Sequence, residues 1–247
     1  MKRNAHIRVA ELATNHLPDP WATPIAALWE GIETGATLPD EFVAYWDTDD
    51  QVGVISKVRM HRCYMDSDDP RDRGCVIQIV RYATAIPGFV EDFASGDLEG
   101  SYDDEEFALN LGMFFGIASH HIADMHTPVH VCSHVDPATV GARSSAGFHT
   151  RIETDLDRAA AAVETIQPYR PQTVALEHPA IEALAQAAFD DFVPRLPLVY
   201  GPKATLDSRV EAMTECVRRA AQATADVWSA VLNTLSPQAA VALARLA

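Results

Sequence analysis

Apolar residues recur every three or four positions along most of this chain, the spacing that places them on one face of an α-helix. The clearest stripe lies between Asp207 and Leu232, where it runs from Val210 to Val231. No stretch of useful length alternates polar and apolar residues as a half-buried strand does. The pattern therefore predicts an all-α fold.

The same spacing predicts seven further helices, separated by prolines that mostly stand beside other turn residues. Their predicted bounds are Ala5 to His16, Pro24 to Glu33, Asp50 to Met65, Val76 to Ile86, Glu105 to Met125, Phe148 to Ile166 and Ile181 to Phe192. Neither an internal repeat nor a shift in composition marks a domain boundary. Residues 1–247 are therefore predicted to form one multi-helix bundle.

The composition indicates a large hydrophobic core and limits the kinds of molecule that the protein can bind. Hydrophobic residues make up 48% of the 247 positions, which is enough for a sizeable core. Lys and Arg total 19 against 35 Asp and Glu, and the net charge of -16 repels polyanions, so long nucleic acids are disfavoured. The absence of a long apolar run predicts no membrane span, and the absence of a signal-peptide pattern predicts a cytoplasmic protein.

The four cysteines are scattered along the chain, and no two form a CxxC pair. Paired thiols at short spacing are typical of zinc sites and of redox motifs. The sequence therefore predicts buried free thiols instead of either kind of site. It does not determine the oligomeric state.

The segment HHIADMHTPVHVCSH, which starts at His120, contains five of the ten histidines. On a helix, His120 and Asp124 project from the same face one turn apart, so an imidazole nitrogen and a carboxylate oxygen can reach one metal ion. Pro128 then interrupts the helix, which allows His130 to turn toward the same place. This arrangement predicts a metal site at the end of an apolar helix.

Further histidines and carboxylates extend the candidate site. His149 and Glu153 repeat the four-residue spacing, His61 follows Asp47 by fourteen residues, and His6 lies near the start of the chain. Neutral imidazole and carboxylate together suit zinc, and they also accept iron or manganese. The pattern predicts a cluster of two or three divalent metal ions.

Other polar residues receive simpler interpretations. His121 and His126 are expected to support the ligands or to be exposed, and His16, His134 and His178 are expected to be surface or capping residues. The acidic run from Asp103 to Glu106 is interpreted as a solvated helix start, because acidic groups stabilise the positive end of a helix dipole.

The order of the candidate ligands resembles that of the zinc-dependent phospholipase C and single-strand-specific nuclease family, whose members are all-helical enzymes with three zinc ions. The family pattern has an early His, an Asp followed fourteen or fifteen residues later by His, then HxxxDxxxxxH, and then HxxxE or HxxxD. It corresponds here to His6, Asp47, His61, His120, Asp124, His130, His149 and Glu153. The segment HHIADMHTPVH is similar to the family's HYxGDxHxPxH form, and the match covers residues 6 to 153.

The resemblance implies three metal sites. One metal would be bound by Asp47, His61, His120 and Asp124, a second by His6, the bridging Asp124 and the chain terminus, and a third by His130, His149 and Glu153. Asp49 and Asp50 are close enough in sequence to replace Asp47. In the family an N-terminal Trp binds zinc through its amino group and carbonyl. Here Met1 stands five residues before His6, and its amino group can serve if it is unmodified.

The implied function is metal-dependent hydrolysis of a phosphoric ester, with zinc as the expected metal and a small phosphodiester or phospholipid-like substrate. In this interpretation Asp47 orients or deprotonates the attacking water, and Asp124 fixes the metal pair. Two alternatives remain open, because a fold does not determine a function. One is a relative with a remodelled iron or manganese site that acts on a metabolite; the other is a non-catalytic, metal-stabilised helical binding module.

Overall fold

A computed structural model of the chain describes residues 1–41, 44–46, 54–56, 60–98, 100–134, 144–167 and 171–247. It is built almost entirely of helices, so the all-α prediction is confirmed. The helices are α1 (Arg3–Thr14), α2 (Ala22–Ala27), α3 (Trp29–Glu41), α4 (Gly74–Ser95), α5 (Asp104–Met125), α6 (Pro128–Val131), α7 (Ser145–Ala162), α8 (His178–Phe192), α9 (Leu196–Val199), α10 (Leu206–Leu232) and α11 (Pro237–Ala244). Two 3-10 turns span Pro70–Asp72 and Val193–Arg195.

The helix predicted from Asp50 to Met65 is wrong in the described part of that segment. Two short strands, β1 (Ala44–Trp46) and β2 (Val54–Ser56), pair antiparallel there. Farther on, the amides of Cys63 and Met65 donate to the carbonyls of residues 130 and 131. Backbone groups that find partners elsewhere in the fold do not need helical ones, and tertiary pairing therefore overrides the apolar spacing.

Other helices extend beyond their predicted ends. The prediction for α4 stopped at Ile86 because Pro87 follows, yet the helix continues through Pro87 to Ser95. Ile86 and Val90, on either side of the proline, are fully buried, and this packing compensates for the lost backbone hydrogen bond. The C-terminal helix α11 was not predicted.

The apolar stripe predicted in α10 is buried as expected. Val217, Val227 and Val231 are each 0% exposed, and Trp228 packs edge-on against Phe115 of α5 with ring centroids 5.4 Å apart. The helix begins with a capping box in which Thr205 and Ser208 satisfy each other's backbone amides. Helix α10 thereby packs against α5 through Trp228 and Phe115.

Helices α3 and α5 cross with their backbones in direct contact. Gly31 and Gly35 of α3 face Gly112 and Gly116 of α5. A Cβ at Gly116 would lie 2.3 Å from the carbonyl oxygen of Ile32, a distance that only glycine avoids. This crossing holds the last two turns of α5 against the end of α3.

All four cysteines are buried free thiols, as predicted. Burial raises the pKa of Cys63 to about 12 and that of Cys132 to about 11. In the described residues no helix combines the length and the apolar character that crossing a membrane requires. The single-domain organisation and the cytoplasmic location stay predictions.

We predict that Gly116→Ala destabilises the protein by about 1 to 3 kcal/mol, because the new methyl group forces α3 and α5 apart. Gly88→Ala is the matched control, since a Cβ at this helical position meets nothing within 4 Å. Chemical denaturation monitored by circular dichroism measures both variants. Equal stability of the two variants would contradict the backbone contact between α3 and α5.

Candidate metal centre

Helix α5 carries the centre on its last two turns. It begins where the acidic run predicted, and the Asp103 carboxylate accepts the amide hydrogen of Glu106 at 2.8 Å. At its other end His120, His121 and Asp124 are each 0% exposed. Asp124 lies four residues after His120 and three after His121, so all three side chains lie on one side of the helix.

The chain then turns sharply and brings His130 back to this cluster. Helix α5 ends at Met125, the Thr127 hydroxyl donates to the carbonyl of Ala123 at 3.0 Å, and Pro128 opens α6. His130 consequently lies with its Nδ1 3.7 Å from Asp124 Oδ1. The sequence predicted this turn from the position of Pro128.

The carboxylate of Asp124 lies at the centre of the site. Its Oδ1 is 3.1 Å from the Met1 amine and 3.5 Å from His6 Nε2. Its Oδ2 is 2.5 Å from His61 Nδ1 and 3.4 Å from His120 Nε2. One buried side chain therefore contacts groups from the chain start, the segment after β2 and its own helix.

The surrounding imidazoles and the terminal amine keep Asp124 ionised. Burial opposes the charge, but His130, the terminal amine, His120 and His61 together hold the pKa of the carboxyl well below its usual range. Burial lowers the pKa of the Met1 amine and of His61, yet the nearby Asp124 raises both above their ordinary values. These groups stabilise the carboxylate as protonated partners, and metal binding would displace their protons.

Three groups of side chains offer donor atoms that lie within 4.8 Å of one another. The first group contains His61, His120, His121 and Asp124; the second contains His6, Asp40 and His120; the third contains His130, His149 and Glu153. Ligands bonded at about 2.0 Å to one tetrahedral zinc lie about 3.3 Å apart. The donor atoms of each group therefore lie close enough together to be candidates for binding one metal ion.

Hydrogen bonds from the Nδ1 atoms orient two of the imidazoles. His120 Nδ1 donates to the Ala36 carbonyl and His130 Nδ1 donates to the His61 carbonyl, both at 2.8 Å. Since a carbonyl oxygen only accepts, each ring carries its proton on Nδ1 and directs its Nε2 lone pair into the cluster, where His120 Nε2 lies 3.1 Å from His61 Nδ1. This arrangement is characteristic of metal-binding histidines.

The third group adjoins the other two. His149 Nε2 lies 3.1 Å from Glu153 Oε1, and His130 Nε2 lies 3.9 Å from the same oxygen. The Met1 amine is 3.7 Å from it. Burial raises the pKa of Glu153, but His130 and His149 outweigh burial and lower the pKa from its ordinary value.

Seven of the eight ligands predicted from the sequence lie in this cluster, and Asp47 lies outside the described residues, as do Asp49 and Asp50. The structure adds two residues that the sequence interpretation left out. Asp40 at the end of α3 has its Oδ1 3.9 Å from His61 Nε2, and no spacing rule pointed to it. His121 was expected to support the ligands or to be exposed, but it is fully buried inside the first group.

A cavity of about 490 Å³ opens beside His149. Its walls are formed by Tyr64, Val129, Cys132, Ser133, Ser145, Ala146, Phe148, His149 and Thr150. Tyr64 and Phe148 supply aromatic rings to this wall.

Comparisons with known proteins identify the fold. No protein-family profile matches the chain, and no curated protein matches it by sequence. The solved alpha-toxin of Clostridium absonum superposes with a TM-score of 0.59 at 13% identity, over 96% of this chain and 65% of the toxin. A Clostridium perfringens alpha-toxin from avian strain SWCP gives 0.55 at 16% identity, over 92% and 62%.

At these identities the likeness shows the fold alone, and the chain spans less than two thirds of either toxin. The predicted fold is therefore confirmed. Membership of the phospholipase C and nuclease family stays a prediction.

We predict that Asp40→Asn weakens binding of one metal by about 10- to 100-fold, because it removes a carboxylate beside His6, His61 and His120. Competition with a coloured chelator measures the affinity. Glu33→Gln on the same helix is the control, since Glu33 is exposed. If Asp47→Asn weakens binding and Asp40→Asn does not, Asp40 is not a ligand.

Proposed function

We propose that this protein is a metal-dependent hydrolase of phosphoric esters, with zinc as the expected metal. The observation that carries the proposal is the buried Asp124 carboxylate, which contacts members of all three groups of donor atoms. The order of the ligands along the chain, which resembles that of the zinc-dependent phospholipase C and nuclease family, supports the same reaction class. A single metal would not require donors in three adjoining groups.

The donor chemistry fits two or three divalent ions. His61, His120 and Asp124 would hold the first together with Asp47 or Asp40; His6, Asp124 and the Met1 amine would hold the second; His130, His149 and Glu153 would hold the third. When bound, such ions would polarise phosphoryl oxygens and lower the pKa of a bound water molecule to about neutral pH. The nitrogen and oxygen donors suit zinc, and they also accept iron or manganese.

The side chains have distinct parts in this proposal. Asp124 would contribute its carboxylate to both of the first two sites. The Nδ1 hydrogen bonds of His120 and His130 hold the imidazole planes in one orientation, which reduces the reorganisation needed on metal binding. Asp47 stays the candidate that orients or deprotonates the attacking water.

The Met1 amine has a defined place in the proposal. It lies 3.1 Å from Asp124 and 3.7 Å from Glu153, and the Met1 carbonyl accepts a hydrogen bond from His6 Nε2 at 3.2 Å. Amine, carbonyl and imidazole thus lie together beside Asp124. Mass spectrometry of the purified protein establishes whether this amine is free.

The cavity beside His149 favours a small substrate. Its volume of about 490 Å³ is within the range of small-molecule sites, and Tyr64, Ser145 and Thr150 supply hydroxyl groups for hydrogen bonds to a phosphoryl or ester oxygen. The net charge of -16 disfavours long nucleic acids. We therefore propose a small phosphodiester or a phospholipid-like head group as the substrate class.

A remodelled metal centre that performs another reaction on a metabolite is the second candidate. Three imidazoles and one carboxylate in the first group favour it, because imidazole suits iron as well as zinc. Elemental analysis of the protein purified without added metal, combined with an oxygen-consumption assay, separates the two. Bound iron with oxygen uptake and no phosphodiester hydrolysis would favour the second candidate.

We predict that Asp124→Asn removes at least one metal per chain and lowers phosphodiester hydrolysis by at least about 100-fold, because the amide cannot bridge two cations. Elemental analysis and a chromogenic phosphodiester measure the two effects. Asp104→Asn, at the exposed start of the same helix, should change neither. Unchanged hydrolysis in Asp124→Asn would refute the proposed reaction.

We predict that Ala146→Trp raises the KM for a small phosphodiester while metal content stays unchanged, because the indole fills part of the cavity beside His149. Ala161→Trp on the same helix is the matched control, since Ala161 is exposed and does not line this cavity. Steady-state kinetics separate KM from kcat. The same KM in both variants would mean that substrate enters elsewhere.

A further inference from the structure

His121 is a fully buried histidine whose polar atoms lack partners. It is 0% exposed, and neither Nδ1 nor Nε2 has a hydrogen-bond partner among the residues that the structure describes. His120, the preceding residue, differs in this respect, since its Nδ1 donates to the carbonyl of Ala36. A neutral imidazole carries one donor and one acceptor, and leaving both buried and unpaired destabilises the fold.

The ring of His121 lies against the metal cluster. Its centroid is 5.3 Å from that of His120 and 5.7 Å from that of His61. It belongs to the group whose donor atoms all approach within 4.8 Å, together with Asp124. On α5 the three-residue step from His121 to Asp124 and the four-residue step from His120 place both imidazoles beside one carboxylate.

Hydrogen bonding does not explain the buried position, because both ring nitrogens of His121 are buried and unpaired among the described residues. An apolar side chain of similar size would fill the same space without the cost of two unpaired polar atoms. A neutral imidazole becomes favourable here when a cation accepts its lone pair.

We propose that His121 is a metal ligand, so that the first site is held by His61, His120, His121 and Asp124. This inference rests on the proposed metal centre. It departs from the family's HYxGD form, where a tyrosine follows the first histidine. An imidazole at this position gives the first site one more nitrogen donor than the tyrosine of that form would.

Histidine labelling with nitrogen-15 and loading with cadmium-113 test the inference on the wild-type protein. Through-bond coupling between cadmium and nitrogen marks each coordinating imidazole directly. We expect six coupled histidines, namely His6, His61, His120, His121, His130 and His149. Assignment of the His121 signal by its absence in His121→Phe completes the experiment, and an uncoupled His121 would overturn the inference.

Metal affinity provides a second readout. We expect His121→Phe to lower the binding affinity for one metal ion by at least about tenfold in chelator competition. We also expect it to shift the visible absorption bands of the cobalt-substituted protein. His126→Phe is the matched control, because His126 is buried near the end of the same helix and belongs to none of the three groups. Its affinity and spectrum should equal those of the wild type.

His121→Asn serves as a smaller replacement if thermal melting shows that the phenylalanine variant does not fold. Equal affinity and cobalt spectra in the wild type and a folded His121 variant would overturn the inference. These readouts do not depend on catalysis. Bound metal with a coupled His121 and no phosphodiester hydrolysis would reject the proposed reaction and support His121 as a ligand. Phosphodiester hydrolysis with an uncoupled His121 would support the reaction and reject His121 as a ligand.

Discussion

A single ionised carboxylate in the interior determines the arrangement around it. Asp124 is fully buried, and moving a carboxylate out of water costs several kcal/mol unless charged or hydrogen-bonding partners compensate. The partners come from the chain start, from the segment after β2, from α5 itself and from the turn that follows it. Separate parts of the chain therefore meet at one point, and the same side chains form a set of donors suited to metal ions.

The crossing of helices α3 and α5 also positions residues of the candidate metal centre. Four glycines let α3 and α5 touch backbone to backbone one turn before His120. The same contact brings the carbonyl of Ala36 to His120 Nδ1 and the carboxylate of Asp40 toward His61. Because α10 packs Trp228 against Phe115 on α5, the metal-binding end of α5 is held from two sides. Rigid support of this kind keeps donor atoms oriented before a metal binds.

Charge and shape together favour a small substrate. The protein as a whole is strongly acidic, but bound divalent ions would create a locally positive site within that field. The cavity beside His149 leads to the third group of donors, and hydroxyl groups line part of its wall. A compact anionic ester meets favourable charge only inside the cavity, whereas an extended polyanion meets the acidic surface first.

The sequence by itself determined the helical class, the buried stripe of α10 and the order of most donor residues, because three- and four-residue spacings express local helix geometry. His120 and Asp124 could be paired this way, and Pro128 indicated the turn to His130. Only the tertiary structure decided that residues 54–56 form a strand, that Asp40 reaches His61 and that His121 is buried. Those outcomes depend on contacts between segments distant along the chain, and the spacing of residues within one segment carries no information about them.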